Sequence, residues 1–556
     1  MKRFLQLTWI VFLFLIWTGC GDTFRPIIIP NPPTFPDPRA AHSVIAINDN
    51  GLISNGSALV VDVSGDSEVS IGTVAVAPVH AVQQTASQIL VLNQATTSTS
   101  TASLSKVFFN GTVINGAIST ITLPPNSQPN FVAVAPSDTT AYVTLPSVVP
   151  DPNFPNDNAV GAVNTNTNVL VATIKVGSCP MAMAVTPDKS KLYVANNSSF
   201  CNPAATGGSL NAFNTLDQTA RAISGTLSSA PIWLSVRSDS QRVYVLEANG
   251  TLASIDTTST AGPDTITELA LPGFAVSRNT AMFYDGLLNR LYIPGRSQMA
   301  VIDVSQVQPQ LLSMIAIPPY NLLNLPSVQA DATAVTALPD GSRAYVASYP
   351  YDPASSSPDG GVPLPSQFNV TSVSGDGTTA TYAYTLTAGH DLTPGVAVTV
   401  SGTGGAFDGT FLVSAMVSGT ATCPGTCFQS PNSTNATGTA GSGTGSNIFP
   451  QVTVVNTSSN TIKTTVGTAG FPDVTDPSSP YYVPICATTR FRFAMAAGGD
   501  SSRVYLSSCG GGGVNDIDTL TDSFLVNLLA PFSSRPPIPP SQLAPPQNPV
   551  FLIAGP

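Results

Sequence analysis

The sequence predicts an all-β protein folded as a β-propeller with seven blades, eight being the alternative. Residues 158–199 hold three short apolar runs of alternating pattern, then a turn and the strand Leu192-Tyr193-Val194-Ala195. Four short strands in about 45 residues are typical of one propeller blade. The composition agrees, because only 9% of residues are charged and 42% are hydrophobic, while long amphipathic helical patterns are hard to find.

A tyrosine repeat sets the blade count. A Tyr-Val, Tyr-Ile or Tyr-Leu pair recurs at six positions that we assign to the second strands of successive blades: Tyr142, Tyr193, Tyr244, Tyr292, Tyr345 and Tyr505. The first four intervals are 51, 51, 48 and 53 residues, and a degenerate copy around Leu90 brings the number of blades to seven. Apolar segments at 59–64, 71–76 and 550–554 are expected to close the ring, since joining the chain ends removes exposed sheet edges.

The last tyrosine interval is 160 residues, which predicts an insertion in the sixth blade. We assign residues 349–449 to a small inserted β module, so that the propeller comprises residues 42–348 and 450–556. Residues 367–416 show four alternating strands, and the Ser/Thr/Gly/Asn tract at 430–446 predicts a flexible linker. Residues 389–415 resemble a small β module repeated in bacterial surface and phage-associated proteins.

The tetrad Tyr193-Val194-Ala195-Asn196 resembles the YVTN family of propeller repeats. That resemblance implies a propeller and leaves the activity open, because one fold hosts many functions. Similar propellers include lactonases and quinone-dependent dehydrogenase subunits, so an enzyme of that type is one alternative function.

The amino terminus has the pattern of an export signal. Lys2-Arg3 precedes an apolar core at 4–17, and Thr18-Gly19-Cys20 resembles a bacterial lipoprotein lipobox, with Trp17 where that family usually has Leu. The resemblance implies a signal peptide at 1–20, lipidation of Cys20 and a Pro-rich tether at 21–41. We therefore expect an exported, membrane-anchored lipoprotein facing the periplasm or the cell surface; secretion without an anchor and an uncleaved signal anchor are the alternatives.

Six further cysteines in an exported chain predict disulfides. Cys179 precedes an inner strand and Cys201 follows the second strand of the same blade, and Cys486 and Cys509 hold the same places in the last blade. Because these two strands are antiparallel, the entry to one and the exit from the other lie at one end of the blade. The predicted pairs are Cys179–Cys201, Cys486–Cys509 and, in a tight loop of the insertion, Cys423–Cys427.

The residues of common catalytic and metal sites are sparse. The three histidines lie in different regions, and none of the nucleophile, zinc or phosphate-loop motifs is present, so we predict no catalytic residue, no metal and no cofactor. With 20 Lys+Arg against 31 Asp+Glu and no basic run, nucleic acid is an improbable partner. Aspartates that recur at the turn after each inner strand are interpreted as turn residues.

The loops between second and third strands all emerge at one end of the ring, and long loops on one face of a rigid scaffold favour a binding site. We therefore predict a monomeric, non-enzymatic binding or scaffold protein, tethered to the membrane, that contacts an envelope protein or polysaccharide through these loops. Besides the propeller enzyme, a structural surface or adhesion protein is the second alternative. The insertion's Tyr382, Tyr384, Phe407 and Phe411 are expected to pack in its core.

Overall fold

A computed structural model of the 556-residue chain describes most of the sequence. The described residues are 43–49, 55–94, 101–110, 113–146, 158–202, 204–277, 279–320, 328–351, 364–392, 397–421, 423–448, 450–468, 471–472, 493–508, 513–528 and 548–554. Within them the helical segments are the single turns Ser198–Cys201 (α) and Gly405–Phe407 (3₁₀). No helix in the described part of the chain has the length and apolar character needed to cross a membrane.

The strands form eight blades, each with an inner, a second, a third and an outer strand that pair antiparallel in that order. Blade 1 contains Pro78–Thr85, Gln88–Asn93, Ser103–Asn110 and the short Val113–Ile114 and Ser119–Thr122, and blade 2 contains Val132–Val134, Thr140–Leu145, Ala159–Asn164 and Val169–Lys175. Blade 3 contains Pro180–Val185, Lys191–Asn197, Gly208–Asn214 and Ala220–Arg221. Blade 4 contains Pro231–Val236, Arg242–Glu247, Leu252–Asp256 and Asp264–Leu269, and the last of these strands also pairs with Ile223–Ser224.

Blades 5 to 7 follow in the same order. Their strands are Phe283–Asp285, Arg290–Gly295, Gln298–Asp303 and Gln310–Ala316; Gln329–Ala337, Arg343–Tyr351, Gln451–Asn456 and Thr461–Gly467; and Phe493–Ala497, Arg503–Ser508, Val514–Asp518 and Ser523–Leu528. Blade 8 uses both chain ends, with Asn548–Ala554 as its inner strand and Ser43–Asp49, Asn55–Asp62 and Ser67–Val76 as the others.

The inner strand of every blade contacts the inner strands of both neighbouring blades, and the inner strand of blade 8 contacts those of blades 7 and 1. The ring is therefore closed by the two chain ends, as predicted, but the predicted count of seven blades is wrong by one. In the second strand of blade 8, Ile45 lies opposite Val60, as Tyr193 lies opposite Ala212 in blade 3. A count based on tyrosine omits this blade because isoleucine fills the same buried position.

The six repeat tyrosines are all buried, at 0–1% exposure, within the second strands of their blades. Aliphatic residues on both sides of them fill the space between adjacent sheets, and the apolar clusters run from blade to blade around the ring. This burial explains the spacing of the repeat, since each blade must present one large side chain to the same layer of the core.

Nine further strands form one separate sheet; eight of them lie in the chain between the second and third strands of blade 6, and Phe471–Pro472 follows the outer strand of that blade. They are Leu364–Asp376, Thr379–Ala388, Ala397–Ser401, Gly409–Leu412, Ala415–Thr420, Cys423–Pro431, Asn435–Gly438, Gly441–Ile448 and Phe471–Pro472. The four strands predicted within 367–416 are among them, although the second strand of blade 6 extends to Tyr351, beyond the predicted boundary at residue 349.

The tract at 430–446 is not the flexible linker that its composition predicts, because two strands of this sheet, Asn435–Gly438 and Gly441–Ile448, cover most of it. The glycines have a packing role that composition alone does not reveal. A Cβ on Gly443 would lie 2.2 Å from a ring carbon of Phe368, so only glycine lets the aromatic side chain cover the strand.

Candidate functional site: the loop face of the ring

The direction of the strands divides the ring into two faces. In blade 3, the inner strand Pro180–Val185 leads through a short turn to Lys191–Asn197, whose far end connects to Gly208–Asn214. We call the end with the connections between inner and second strands the turn face. The end with the connections between second and third strands is the loop face.

A disulfide clamps the loop face of blade 3. Cys179 and Cys201 are bonded, with Cα atoms 5.9 Å apart, as the blade register predicts. The residue before the short helix Ser198–Cys201 is Asn197, whose side-chain oxygen accepts hydrogen bonds from Ser199 and caps the helix. The predicted pair Cys486–Cys509 and the lipidation site Cys20 lie outside the described residues.

The nine-stranded sheet also leaves the ring at the loop face, since eight of its strands lie in the connection between the second and third strands of blade 6. Its own predicted disulfide, Cys423–Cys427, is present. The Tyr382 and Phe428 rings stack 4.7 Å apart, and Tyr384 and Phe407 are buried beside them, as predicted from their place in the strands. Phe411 is half-buried against the same core, which is continuous with that of blades 5 and 6.

An asparagine three residues after the repeat tyrosine position fixes the loop-face end of several blades. Its amide nitrogen donates to the serine hydroxyl opposite it in the third strand, in the pairs Asn48–Ser57, Asn93–Ser103 and Asn196–Ser209, at 3.1, 3.3 and 3.2 Å. The tetrad that carries the family resemblance therefore ends in a residue that ties two strands together. It is a structural position in these three blades.

Blade 4 departs from this pattern, because Glu247 occupies the asparagine position. Its carboxylate is fully buried and accepts hydrogen bonds from the Ser228 hydroxyl at 2.9 Å and from the Ser229 N–H, which both precede the inner strand. Glu268, on the outer strand, accepts from the Ser228 N–H at 2.7 Å. One short loop segment thus holds two carboxyl groups near each other at the loop face.

Burial raises the pKa of Glu247 to about 7, against the hydrogen bonds from Ser229 and Ser228, which lower it, and the charge of Glu268 adds to the rise. A buried carboxyl group beside a second carboxylate retains its proton near neutrality. Groups with such shifts often mark functional sites. Glu247 could have been singled out from the sequence, because it is an acidic residue three positions after a repeat tyrosine, where other blades have asparagine.

Aromatic side chains in or beside the inner strands of several blades pack against one another. His80 of blade 1 stacks on Phe131 at 4.1 Å between ring centres, Phe551 of blade 8 lies 4.6 Å from His80, and Trp233 of blade 4 meets Phe131 edge-on at 5.6 Å. The Val132 N–H donates to Nδ1 of His80. Side chains from four blades therefore pack together at the centre of the ring.

Carboxylates of the described inner strands do not converge on one point. They are Asp285, which accepts backbone N–H groups of its own turn, and Asp331, which pairs with Arg296 at 3.8 Å and accepts from the Tyr349 hydroxyl. Within the described ranges, His, Cys, Asp and Glu form no group of three that could hold a metal ion.

The turn face is held by aspartates, as predicted. Each of five aspartates accepts the backbone N–H of the residue two positions later, which is the geometry of an Asx turn: Asp138, Asp188, Asp239, Asp340 and Asp500. These side chains stabilise their own turns.

Contacts between blades at the turn face were not predicted. Tyr193 and Lys191 of blade 3 both bond Asp264 of blade 4, and Lys191 also donates to the carbonyl oxygen of Thr257 at 2.5 Å. Arg290 and Arg343 donate in the same way to carbonyl oxygens of the next blade. The recurring cation two residues before the tyrosine is the sequence signal that could have revealed these contacts.

No known family model matches the sequence, and no curated protein matches it. Among solved structures, dihydro-heme d1 dehydrogenase NirN in complex with DHE is 9% identical, covering 96% of this chain and 79% of that one with a TM-score of 0.50. Citrobacter koseri AztD is 9% identical over 92% of this chain and 98% of its own, with a TM-score of 0.46. Kuenenia stuttgartiensis hydrazine synthase is 13% identical over 81% and 86%, with a TM-score of 0.33. The likeness to NirN shows the β-propeller fold alone.

Proposed function

We propose that the protein is an exported, lipid-anchored propeller of the cell envelope that binds a partner through its loop face without catalysing a reaction. The observation that carries this proposal is that the disulfide-clamped loop of blade 3 and the nine-stranded sheet leave the ring on the same face. Elaborate loops on a rigid scaffold are where recognition sites are generally built. We interpret the sheet as the small inserted β module that the sequence predicts.

The arrangement of the ring supports binding over catalysis. Its inner strands bring aromatic and aliphatic groups together, whereas propeller enzymes use polar groups or metal ligands in this region. The core that joins the sheet to blades 5 and 6 fixes the sheet against the scaffold, which lowers the entropic cost of binding a partner there.

Site-specific photo-crosslinking in intact cell envelopes tests this proposal. A photoreactive residue replaces exposed Thr206 on the blade 3 loop, Thr399 on the nine-stranded sheet or, as the control, Leu216 on the turn face, which is 97% exposed. We expect one partner to be captured from the loop-face positions and none from Leu216. Equal capture from Leu216, or capture from no position, would contradict the proposal.

The lipid anchor is tested separately. Cys20→Ser should move the protein from the membrane fraction to the soluble fraction of the envelope, because lipidation requires the thiol. Retention of the Cys20→Ser variant in the membrane fraction would show that another segment anchors the chain.

One observation favours the enzymatic alternative, namely the buried Glu247, whose pKa is raised and which lies near the carboxylate of Glu268. If the pair were catalytic, binding of a substrate of the lactone or alcohol class should change the pKa of Glu247, which the pH dependence of its carboxyl NMR signal measures. The enzymatic alternative would be favoured if the Glu247→Gln variant still captured the partner but no longer converted a lactone or alcohol substrate. If the variant changed neither partner capture nor substrate conversion, the carboxyl pair would no longer support an enzyme.

A further inference from the structure

The nine-stranded sheet presents an outward face without charge. Among the side chains of its nine strands the only charged one is Asp376, at the end of a hairpin. None of the large hydrophobic side chains exposed in the described part of the chain belongs to this sheet. A partner that binds here therefore meets neither an opposite charge nor an apolar patch.

The exposed side chains of this face form two registered rows across neighbouring strands. One row is Ser401, Ser442, Asn369 and Thr385, and the other is Thr410, Thr399, Thr444 and Gln367. All eight are exposed and carry a hydroxyl or an amide group. The alternate positions of the same strands, such as Phe368, Val398 and Val400, are buried, which fixes the rows on one side.

The rows form a grid of hydrogen-bond donors and acceptors. Neighbouring strands lie about 4.8 Å apart, and alternate residues along a strand about 6.8 Å apart. Two pairs within the rows contact each other, with the Thr399 and Thr410 hydroxyl oxygens 3.0 Å apart and those of Ser401 and Ser442 3.4 Å apart. Each hydroxyl both donates and accepts, so the grid matches a ligand that is itself densely hydroxylated.

We propose that this face of the sheet, residues 367–444, binds an uncharged polysaccharide, an inference that rests on the proposed function and names its partner class. Anionic and cationic ligands find no opposite charge on the grid, and an apolar helix finds no exposed hydrophobic anchor. The aromatic side chains of the sheet are in its core, so binding relies on hydrogen bonds. Such bonds compete with bonds to water, so a single site binds weakly, and a repeating ligand gains strength from several contacts.

Affinity electrophoresis of the chain from Gly21 onward tests the proposal, because it detects weak binding to soluble polymers. The neutral probes are dextran, soluble starch, laminarin and hydroxyethylcellulose, and the anionic probes are alginate and heparin. We expect at least one neutral polymer to retard the protein and neither anionic polymer to do so. The triple variant Asn369→Ala, Thr385→Ala, Ser442→Ala should bind at least tenfold more weakly.

The matched control is Thr265→Ala, Thr267→Ala, Thr465→Ala, which removes three exposed hydroxyls from outer strands of blades 4 and 6. It should bind like the unchanged protein, and all variants should share one melting temperature. Retardation by none of the neutral polymers, equal loss in both triple variants, or salt-sensitive retardation by the anionic polymers would overturn the polysaccharide proposal. Partner capture from Thr206 in the crosslinking experiment would still support the loop-face function in that case, with a protein as the partner.

Discussion

The hydroxyl of Tyr193 in blade 3 donates a 2.7 Å hydrogen bond to Asp264 in blade 4, 71 residues away in the sequence. Lys191 and Arg221 pair with the same buried carboxylate at 2.8 and 3.2 Å. Blade 6 repeats the arrangement, with Tyr345, Arg343 and Lys463 on Asp522 of blade 7. In blades 3 and 6 the repeat tyrosine therefore links neighbouring blades as well as filling the core.

Replacement of Asp264 tests the importance of this link. Asp264→Asn should lower the free energy of unfolding by about 3 kcal/mol, because it leaves two buried cations without their carboxylate. Asp217→Asn is the matched control, since Asp217 is exposed and bonds its own turn, and it should lower the free energy of unfolding far less than Asp264→Asn does. Urea unfolding measures both; equal effects of the two substitutions would show that the link contributes little.

The corresponding junction between blades 7 and 8 should be sensitive to pH. Arg503 faces three carboxylates there, Asp66, Asp516 and Asp518. Burial raises the pKa of Asp516 to about 8, and Asp66 adds to the rise. The folded protein then holds a proton that the unfolded chain releases near pH 4, so stability should fall as the pH rises from about 4 to 8.

Asp516→Asn should flatten that part of the stability profile and raise stability above pH 8, because it removes the ionising group and keeps its shape. Thermal unfolding from pH 5 to 9 compares the variant with the unchanged protein. Parallel profiles for the two proteins would rule out Asp516 as the titrating group.

The carboxyl pair at the loop face offers a direct pKa measurement. Glu268→Gln should lower the pKa of Glu247, because a neighbouring negative charge is removed, yet leave it above the ordinary value, because burial is the larger cause. Carbon-detected NMR titration of the glutamate carboxyl groups follows this shift. A pKa of Glu247 that returns fully to the ordinary range would assign the whole effect to Glu268 and none to burial.

The packing of the nine-stranded sheet can be tested at one glycine. Gly443→Ala should cost about 2 kcal/mol or more, because the new methyl group overlaps the ring of Phe368, which is itself buried. Gly425→Ala is the control in the same sheet, since nothing lies within 4 Å of the added carbon. Chemical denaturation of both variants should show a loss only for Gly443→Ala, and a neutral Gly443→Ala would mean that the aromatic core is loosely packed.

Much of the fold was predictable because its main signal is local. The tyrosine spacing located six blades, and the antiparallel register of blade 3 identified Cys179 and Cys201 as partners. Blade 8 was miscounted because Ile45 replaces the tyrosine, and the tract at 430–446 was misassigned because glycine favours both linkers and close packing. In both cases the same residue pattern is compatible with two structures. An isoleucine can fill the buried position of the tyrosine, and a glycine-rich tract can form either a linker or closely packed strands.

The sequence by itself determined the strands, the blade period, the placement of the loops on one face and two of the disulfides, because these depend on alternation and on neighbours within one blade. Only the tertiary structure decided which blades share a carboxylate, as Tyr193 and Asp264 do, and that Glu247 meets Glu268 beneath a loop. It also decided that eight uncharged side chains from five strands form one surface. Such contacts join residues far apart in the chain, and their geometry exists only after the ring and the sheet have closed.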